Sequence, residues 1–494
     1  MKLDNLIILP VLLPLAGAIL TFMLKGRLSR QKLVALVVLG LNLAWSLLLL
    51  AQVRSGEILA FSAGDWPVPF GIVFACDIFS ALMLTVSAIV SLAVLLYAFH
   101  SIDIERGKFN FYAFFLLLVM GVNGAFLTGD IFNLYVFFEI MLISSYVLMS
   151  LGGEKAQLRE TFKYMVINML ASALFLIGVA LLYAVTGTLN MADLAVKIRT
   201  AADHGLLTVI AMIFMVVFGT KAAIFPLYFW LPQSYPATPP AVNAVLGGLL
   251  TKVGVYCLFR AFTLLFTFDP GYTHTILRFI AGATMAAGII GAVGQFGMRS
   301  LLSYHIVSQI GYMIMGLGIF TPLGIAAGIY HLVHNMIVKT ALFLTAGVTH
   351  DLTGTTDLHK LGGLLKVYPL LGWTFFFAGI SLAGAPPMSG FFSKFALILA
   401  GLDAKHYLLV TVAVLISLLT LYSMMKIFRY AFWGQASREY PKVKYGPALC
   451  SAVALVAISL AMGLGADWML ELVMAAGEQM MDPDLYIRAV LLEV

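Results

Sequence analysis

The sequence predicts an all-α polytopic membrane protein of about 14 transmembrane helices, arranged as two inverted five-helix repeats that each carry a broken helix. Three observations predict it. First, 62% of the 494 residues are hydrophobic, only 11% are charged, and the mean hydropathy is +1.01. A soluble domain carries roughly 25% charged residues. Second, apolar runs of about twenty residues recur along the whole chain, without the period-two alternation of an outer-membrane barrel. Third, two of these runs combine a proline interruption with a lysine, and they lie five spans apart.

The spans read as 4–24, 33–53, 70–99, 109–129, 131–151, 161–186, 206–231, 240–264, 274–297, 300–320, 322–349, 367–400, 406–432 and 446–466. They form a single integral membrane domain over residues 1–494. The opening MKLDNLIILPVLLPLAGAILTFML is read as the first span. Its apolar run exceeds a signal-peptide core, and a basic loop follows it rather than a cleavage site. A short amphipathic segment near 191–202 and a tail after Trp468 fall outside the spans. Cys76, Cys257 and Cys450 all lie in apolar segments without CxxC or Cys/His spacing, so neither a disulfide framework nor a metal site is expected.

Loop charge sets the expected orientation. Lys25, Arg27, Arg30 and Lys32 follow the first span, Lys155, Arg159 and Lys163 follow the fifth, and Arg429, Arg438, Lys442 and Lys444 flank the loop before the last. Loops after odd-numbered spans collect about sixteen basic residues against about eight on the other face, which places them in the cytoplasm. Both termini are then expected outside, in a bacterial cell membrane. The net charge of +6 belongs to these loops, and no nucleic-acid partner is expected.

Five lysines remain inside spans: Lys221, Lys252, Lys339, Lys394 and Lys426. Lys426 is near a helix end, where its stem lets the ammonium snorkel to water. The other four are deeper, joined by Glu139 in FNLYVFFEIMLISS and Asp77 in FACDIFSAL. A charged group at a helix centre costs about 2.5–3.5 kcal/mol on insertion scales. Pairing alone cannot explain four cations beside one central anion. Asp77 reads as a structural partner of a neighbouring polar group.

Pro226 follows Lys221 by five residues, and Pro386 and Pro387, with Gly384 and Gly390, interrupt the twelfth span before Lys394. Unwound backbone at membrane depth survives where it lines a wet cavity or is buried in protein. Breaks in the seventh and twelfth spans, an odd offset apart, predict inverted repeats at residues 109–264 and 274–432.

Buried lysine, glutamate and histidine can exchange protons near neutral pH. Glu139 and Lys221 can form a switch that favours ammonium when close and release when apart. In IYHLVHNMIVKTALF, His331 and His334 are three apart, and Lys339 is eight from His331 on nearly the same side. This arrangement suits a relay. His305 stands nearer the cytoplasmic end of the tenth span, as an intake group or a packed histidine. No GxxxxGK[ST] or GxGxxG signature appears, so nucleotide-driven chemistry is not expected.

These residues carry a family resemblance. IFNLYVFFEIMLISSYVL, KAAIFPLYFWLPQSYPATPPAVNA, LLTKVGVY, HLVHNMIVKTALFLTAG and AGAPPMSGFFSKF are similar to the antiporter-like subunits of respiratory NADH:quinone oxidoreductase, membrane-bound hydrogenases and Mrp cation/proton antiporters. The resemblance covers nearly the full length. Within the family, the motifs are most similar to D-type subunits of the Mrp Na+/H+ branch. The resemblance implies two half-channels and a polar axis along the membrane midplane. On it, Glu139 and Lys221 form the coupled pair, Lys252 continues the axis, His331 and Lys339 bridge it, and Lys394 ends it. Many relatives have histidine where this chain has Asn335, with His334 one residue earlier. The long lateral helix of the largest family members is not expected from the residues after the last span.

The leading functional expectation is a proton-translocating core subunit of a multisubunit Na+/H+ antiporter, with other membrane subunits and lipid as partners and no cofactor. Na+ would cross through this chain or a neighbour. The alternative is a pump subunit of a redox enzyme, which flavin or iron–sulfur partners would reveal. A solute transporter would need a Ser/Thr- and aromatic-lined pocket with fewer titratable groups.

Overall fold

The computed structural model describes residues 6–201, 203–435, 439–441 and 445–491. Arg438, Lys442 and Lys444 of the basic loop, and residues 4–5 of the expected first span, lie outside the described residues. Helix dominates because hydrocarbon offers backbone groups no partner outside their own segment. The helices are α1 (Leu9–Met23), α2 (Leu28–Val53), α3 (Ile78–Ser101), α4 (Phe111–Leu127), α5 (Ile131–Ser150), α6 (Lys155–Thr186), α7 (Gly205–Ala222) and α8 (Pro240–Leu265). They continue as α9 (Pro270–Val293), α10 (Met298–Ile319), α11 (Pro322–Thr353), α12 in two halves (Pro369–Ala383 and Ser389–Asp403), α13 (Tyr407–Phe432) and α14 (Gly446–Leu464). Two more, α15 (Ala466–Met481) and α16 (Pro483–Leu491), complete the described chain.

Helices α2 and α6 begin at Leu28 and Lys155, earlier than expected, and four further features differ from the sequence expectation. The third span does not begin at residue 70. Val73–Cys76 (β2) pairs antiparallel with Leu59–Ser62 (β1), and Asp77 then caps α3 by accepting from Ser80 N at 2.8 Å. The seventh span stops at Ala222, not 231, because Ala223 takes a left-handed conformation at φ +61°. The break in α12 covers residues 384–388, and Gly390 belongs to the first turn of the second half. The tail after Trp468 is helical: α15 buries Met469, Leu472, Val473, Ala476 and Met480 and packs on α11.

The bundle has a buried centre and a lipid-facing ring. Every residue of α8 is buried, as is every residue of α11 from Gly324 to Thr349. The outer helices α2, α6 and α13 instead expose Leu48, Leu170 and Leu418. Backbone orphans are satisfied by side chains. Pro14 lacks the N–H that would bond Pro10 O, and Asn123 Nδ2 on α4 donates to that oxygen at 2.8 Å. The 191–202 segment forms a short helix, Met191–Thr200, capped by Asn190.

Candidate functional site

Lys221 sits in the last turn of α7, 4% exposed. The end of a helix favours a cation, since the unpaired carbonyls carry partial negative charge. Local contacts close this end without help from the lysine. Ile224 N donates to Gly219 O at 3.0 Å, and Ala223 N and Trp230 Nε1 both donate to Thr220 O at 3.1 Å. Pro226 therefore lies in the turn beyond a helix that has already stopped, and Phe225 N beside it donates to Thr284 Oγ1 at 2.9 Å. The free ammonium reaches across to α6, donating to Asn168 O at 3.2 Å and Ser172 Oγ at 3.0 Å. It also lies 5.7 Å from the Phe138 ring. Glu139, next along α5, makes no ion pair with it, and Glu139 Oε1 is buried without a hydrogen-bond partner.

Lys252 is fully buried on α8. Residues Leu246–Leu250 widen into a π-turn, a local irregularity often found at functional positions. The Lys252 ammonium bonds back to Gly247 O of that turn at 2.5 Å.

The stripe on α11 comes next. His331 Nδ1 meets Ser393 Oγ of α12 at 3.1 Å, and its Nε2 meets Gln309 Oε1 of α10 at 3.2 Å. Lys339 donates to Leu302 O of α10 at 3.1 Å. His334 turns toward the α12 break instead. Its Nδ1 meets Ser389 Oγ at 2.8 Å, and Ser389 joins Ser459 of α14, which joins Ser381, each at 2.8 Å. His305 pairs through Nε2 with Ser423 of α13 at 2.6 Å.

At the second break, Gly384 turns left-handed at φ +94°, and Pro386 and Pro387 follow. Lys394, in the second half of α12, donates to Leu382 O and Ala383 O, both at 3.0 Å, and to Ser417 Oγ at 3.2 Å. Its ammonium also lies 4.8 Å from the Tyr312 ring. Gly390 lets the two halves approach: a Cβ there would stand 1.8 Å from Ser381 O.

Two expected residues have structural roles. Asp77 forms a buried ion pair with Arg260 of α8 at 2.7 Å. Arg260 also donates to Ser80 and Tyr256, with the Tyr486 ring of α16 beside it. Sequence reasoning misses Arg260, although an arginine in an apolar run carries the same signal as the lysines. Lys426 lies in the last turns of α13, with its ammonium over the Phe296 ring. It is 9% exposed and donates to Val293 O and Gln295 O at the end of α9, at 2.9 and 2.8 Å. The neutral partners Asn168, Ser172, Gln309, Ser389 and Ser393 have no sequence signal beyond being polar in apolar surroundings.

The chemistry follows from the acceptors. Lys221, Lys252, Lys339 and Lys394 rest on carbonyl or hydroxyl oxygens, not on carboxylates. Each can gain or lose a proton without rupturing an ion pair. Among the described residues, no three His, Cys, Asp or Glu side chains are grouped to hold a metal. Cys76 and Cys257 are buried free thiols and Cys450 is an exposed one.

The fold and this site define a multi-pass membrane protein that buries titratable side chains on several of its central helices. The chain belongs to the NADH:quinone oxidoreductase/Mrp antiporter transmembrane family, whose match spans residues 128–420. It is 52% identical to the D-type subunit of the Na(+)/H(+) antiporter of Alkalihalophilus pseudofirmus over 99% of this chain and 100% of that protein. It is 45% identical to the corresponding D-type Na(+)/H(+) antiporter protein of Bacillus subtilis with the same coverage. Among solved structures, a chain of the Mrp complex from Dietzia sp. matches with a TM-score of 0.94 at 35% identity, covering 99% of this chain and all of that one. A chain of respiratory complex I from Thermus thermophilus matches with a TM-score of 0.83 at 24% identity over 96% of this chain and all of that one, a likeness of fold alone.

Proposed function

We propose that this chain is the proton-translocating core subunit of a multisubunit Na+/H+ antiporter, a secondary transporter that works with other membrane subunits. The observation that carries the reading is the set of four buried lysines, each held by a neutral acceptor. A fixed structural cation in lipid would gain most from a carboxylate partner. The path runs Glu139, Lys221, Lys252, Lys339, His331, Lys394, joined by water, with His305 and His334 at its margins. Helices α4–α8 and α9–α13 form the two inverted repeats, residues 109–264 and 274–432. Both termini face outward, and Na+ crosses through this chain or a neighbour.

The test is Na+-driven proton movement in everted vesicles carrying the complete complex. Glu139→Ala and Lys221→Ala are expected to abolish the signal while the subunits still co-purify. Full antiport by both assembled variants would remove the reading. Flavin or iron–sulfur subunits in the native complex would instead identify a redox-driven pump.

A further inference from the structure

Helices α9 and α13 pack side by side at the rim of the bundle, and a groove opens between them near the end where both begin. It encloses about 610 Å³. Its floor on α9 is Gly282, Ala283 and Ala286, small residues that leave a slot, with Leu409 and Val412 of α13 opposite. Its lips are Phe279 and Leu408, 72% and 81% exposed. Lips this apolar are at home in hydrocarbon, so the groove opens sideways into the bilayer.

Charge gathers at the mouth. Arg278, Lys405 and His406 line it, and among the described residues no Asp or Glu does. Asp403, close in sequence, is exposed and stands outside the walls. Arg278 donates to Gly318 O at 3.1 Å and to Thr275 Oγ1, which fixes its guanidinium on neutral oxygens and leaves its charge uncancelled. Burial and the Arg278 charge hold His406 below the usual histidine range, so the cations here are Arg278 and Lys405. Lys405 and Lys426 stand about 30 Å apart along α13 at 1.5 Å per residue. The hydrocarbon core is about 30 Å thick, so the mouth lies at headgroup level.

An occupant must join a negative head to an apolar tail. An inorganic anion would leave the slot empty, and a zwitterionic lipid would bring a further cation to a mouth that already holds two. We propose that this groove binds one anionic phospholipid, its phosphodiester at Arg278 and Lys405 and one acyl chain along Gly282, Ala283 and Ala286. Arginine offers a phosphate paired N–H donors and lysine a point charge. Basic pockets between spans suit such headgroups. The site is separate from the proton path, and its test needs no transport.

The complete complex, purified in detergent and stripped of lipid, is titrated with phosphatidylglycerol and, separately, with phosphatidylcholine of the same acyl chains. Native mass spectrometry counts the lipid retained. Lys405→Gln should weaken the binding of one phosphatidylglycerol per copy of this chain about fivefold, and adding Arg278→Gln should bring the loss to about thirtyfold. Gly282→Leu fills the slot and leaves both charges, and should displace the same molecule; its Cβ meets Leu409 at an ordinary 3.5 Å. A high-resolution map of the parent should show a lipid headgroup between Arg278 and Lys405. Equal retention of phosphatidylglycerol by parent and variants overturns the proposal. So does equal binding of phosphatidylcholine at this site, displacement by excess inorganic phosphate, or a map in which a partner subunit's side chains fill the groove. If the double variant does not assemble, Lys405→Gln, at an exposed loop residue, decides.

Discussion

The two broken helices solve one problem in opposite ways. In α7 the lysine precedes the break, and backbone turns with Trp230 satisfy the exposed carbonyls. The Lys221 ammonium is left over and rests on α6. In α12 the lysine follows the break, and its ammonium is itself the cap on Leu382 O and Ala383 O. Both turns contain a cis proline peptide, Phe225–Pro226 and Pro386–Pro387. The difference separates function from architecture at one end and fuses them at the other. Removing Lys221 leaves its helix end intact, whereas removing Lys394 orphans Leu382 O and leaves Ala383 O to Ser417 Oγ alone.

The largest expected effect lies in the glycines beside the breaks. Gly390→Ala forces a Cβ to 1.8 Å from Ser381 O, a backbone atom that cannot yield, and should abolish assembly of the complex. Gly219→Ala meets the Ile224 side chain, Cδ1 at 2.4 Å and Cγ1 at 2.9 Å, rather than backbone, and should assemble far better than Gly390→Ala. Comparable yields of both variants in size-exclusion profiles would erase the proposed asymmetry.

Next come the lysines. Lys394→Ala should lose transport and also lower the melting temperature, since the orphaned Leu382 carbonyl costs about 1–3 kcal/mol. Lys394→Gln keeps a donor and should recover part of the thermal stability but no transport. Lys221→Ala should lose transport with the melting temperature nearly unchanged. Lys221→Arg should not rescue, because arginine keeps its proton. A melting temperature that falls equally in the two alanine variants would mean that both lysines are caps.

Glu139→Ala sharpens the α7 side alone. No ion pair ties Glu139 to Lys221, so folding should be indifferent while coupled transport disappears; Glu139→Asp should retain a fraction. Vesicle antiport measured beside subunit co-purification checks both halves. The smallest effect is expected from Trp230→Phe, which deletes the indole bond to Thr220 O and should cost about 1 kcal/mol. A thermal shift as large as that of Lys394→Ala would show that the α7 end is less self-sufficient than its hydrogen bonds indicate.

The spans were legible because lipid imposes length and hydropathy on each one. The positions of the breaks were legible because proline and glycine sit where the chain cannot stay helical. The exact helix end was not: Ala223, an ordinary alanine, leaves the helix before Pro226 does. The hairpin at 59–62 and 73–76 was hidden because FGIVFAC is as apolar as a span. The lysines, histidines and Glu139 stood out as charges in hydrocarbon. Their partners did not, since periodicity gives the face of a helix and not what meets it. Thus the ammonium of Lys221 lies on Asn168 and Ser172, neither of which the sequence singled out.

Ten helices are long and apolar enough to cross a membrane among the described residues, with shorter apolar ones at Leu9–Met23, Phe111–Leu127 and Pro369–Ala383. Helix α10 is in neither group, although it has 22 residues and sits among spans. Its first dozen residues carry Arg299, Ser303, His305, Ser308 and Gln309, of which His305 meets α13 and Gln309 meets α11. A ribosome delivers such a segment to the insertion machinery before α11 exists. Its polar residues weaken its partitioning as a lone segment. Its most extensive partner is α9, joined to it by the four residues 294–297. A glycosylation-reporter assay should find α10 retained in the membrane with α9 attached and rejected without it. The polarity that equips this helix for its place in the core thus makes its birth a joint event, with two helices entering the bilayer as one hairpin.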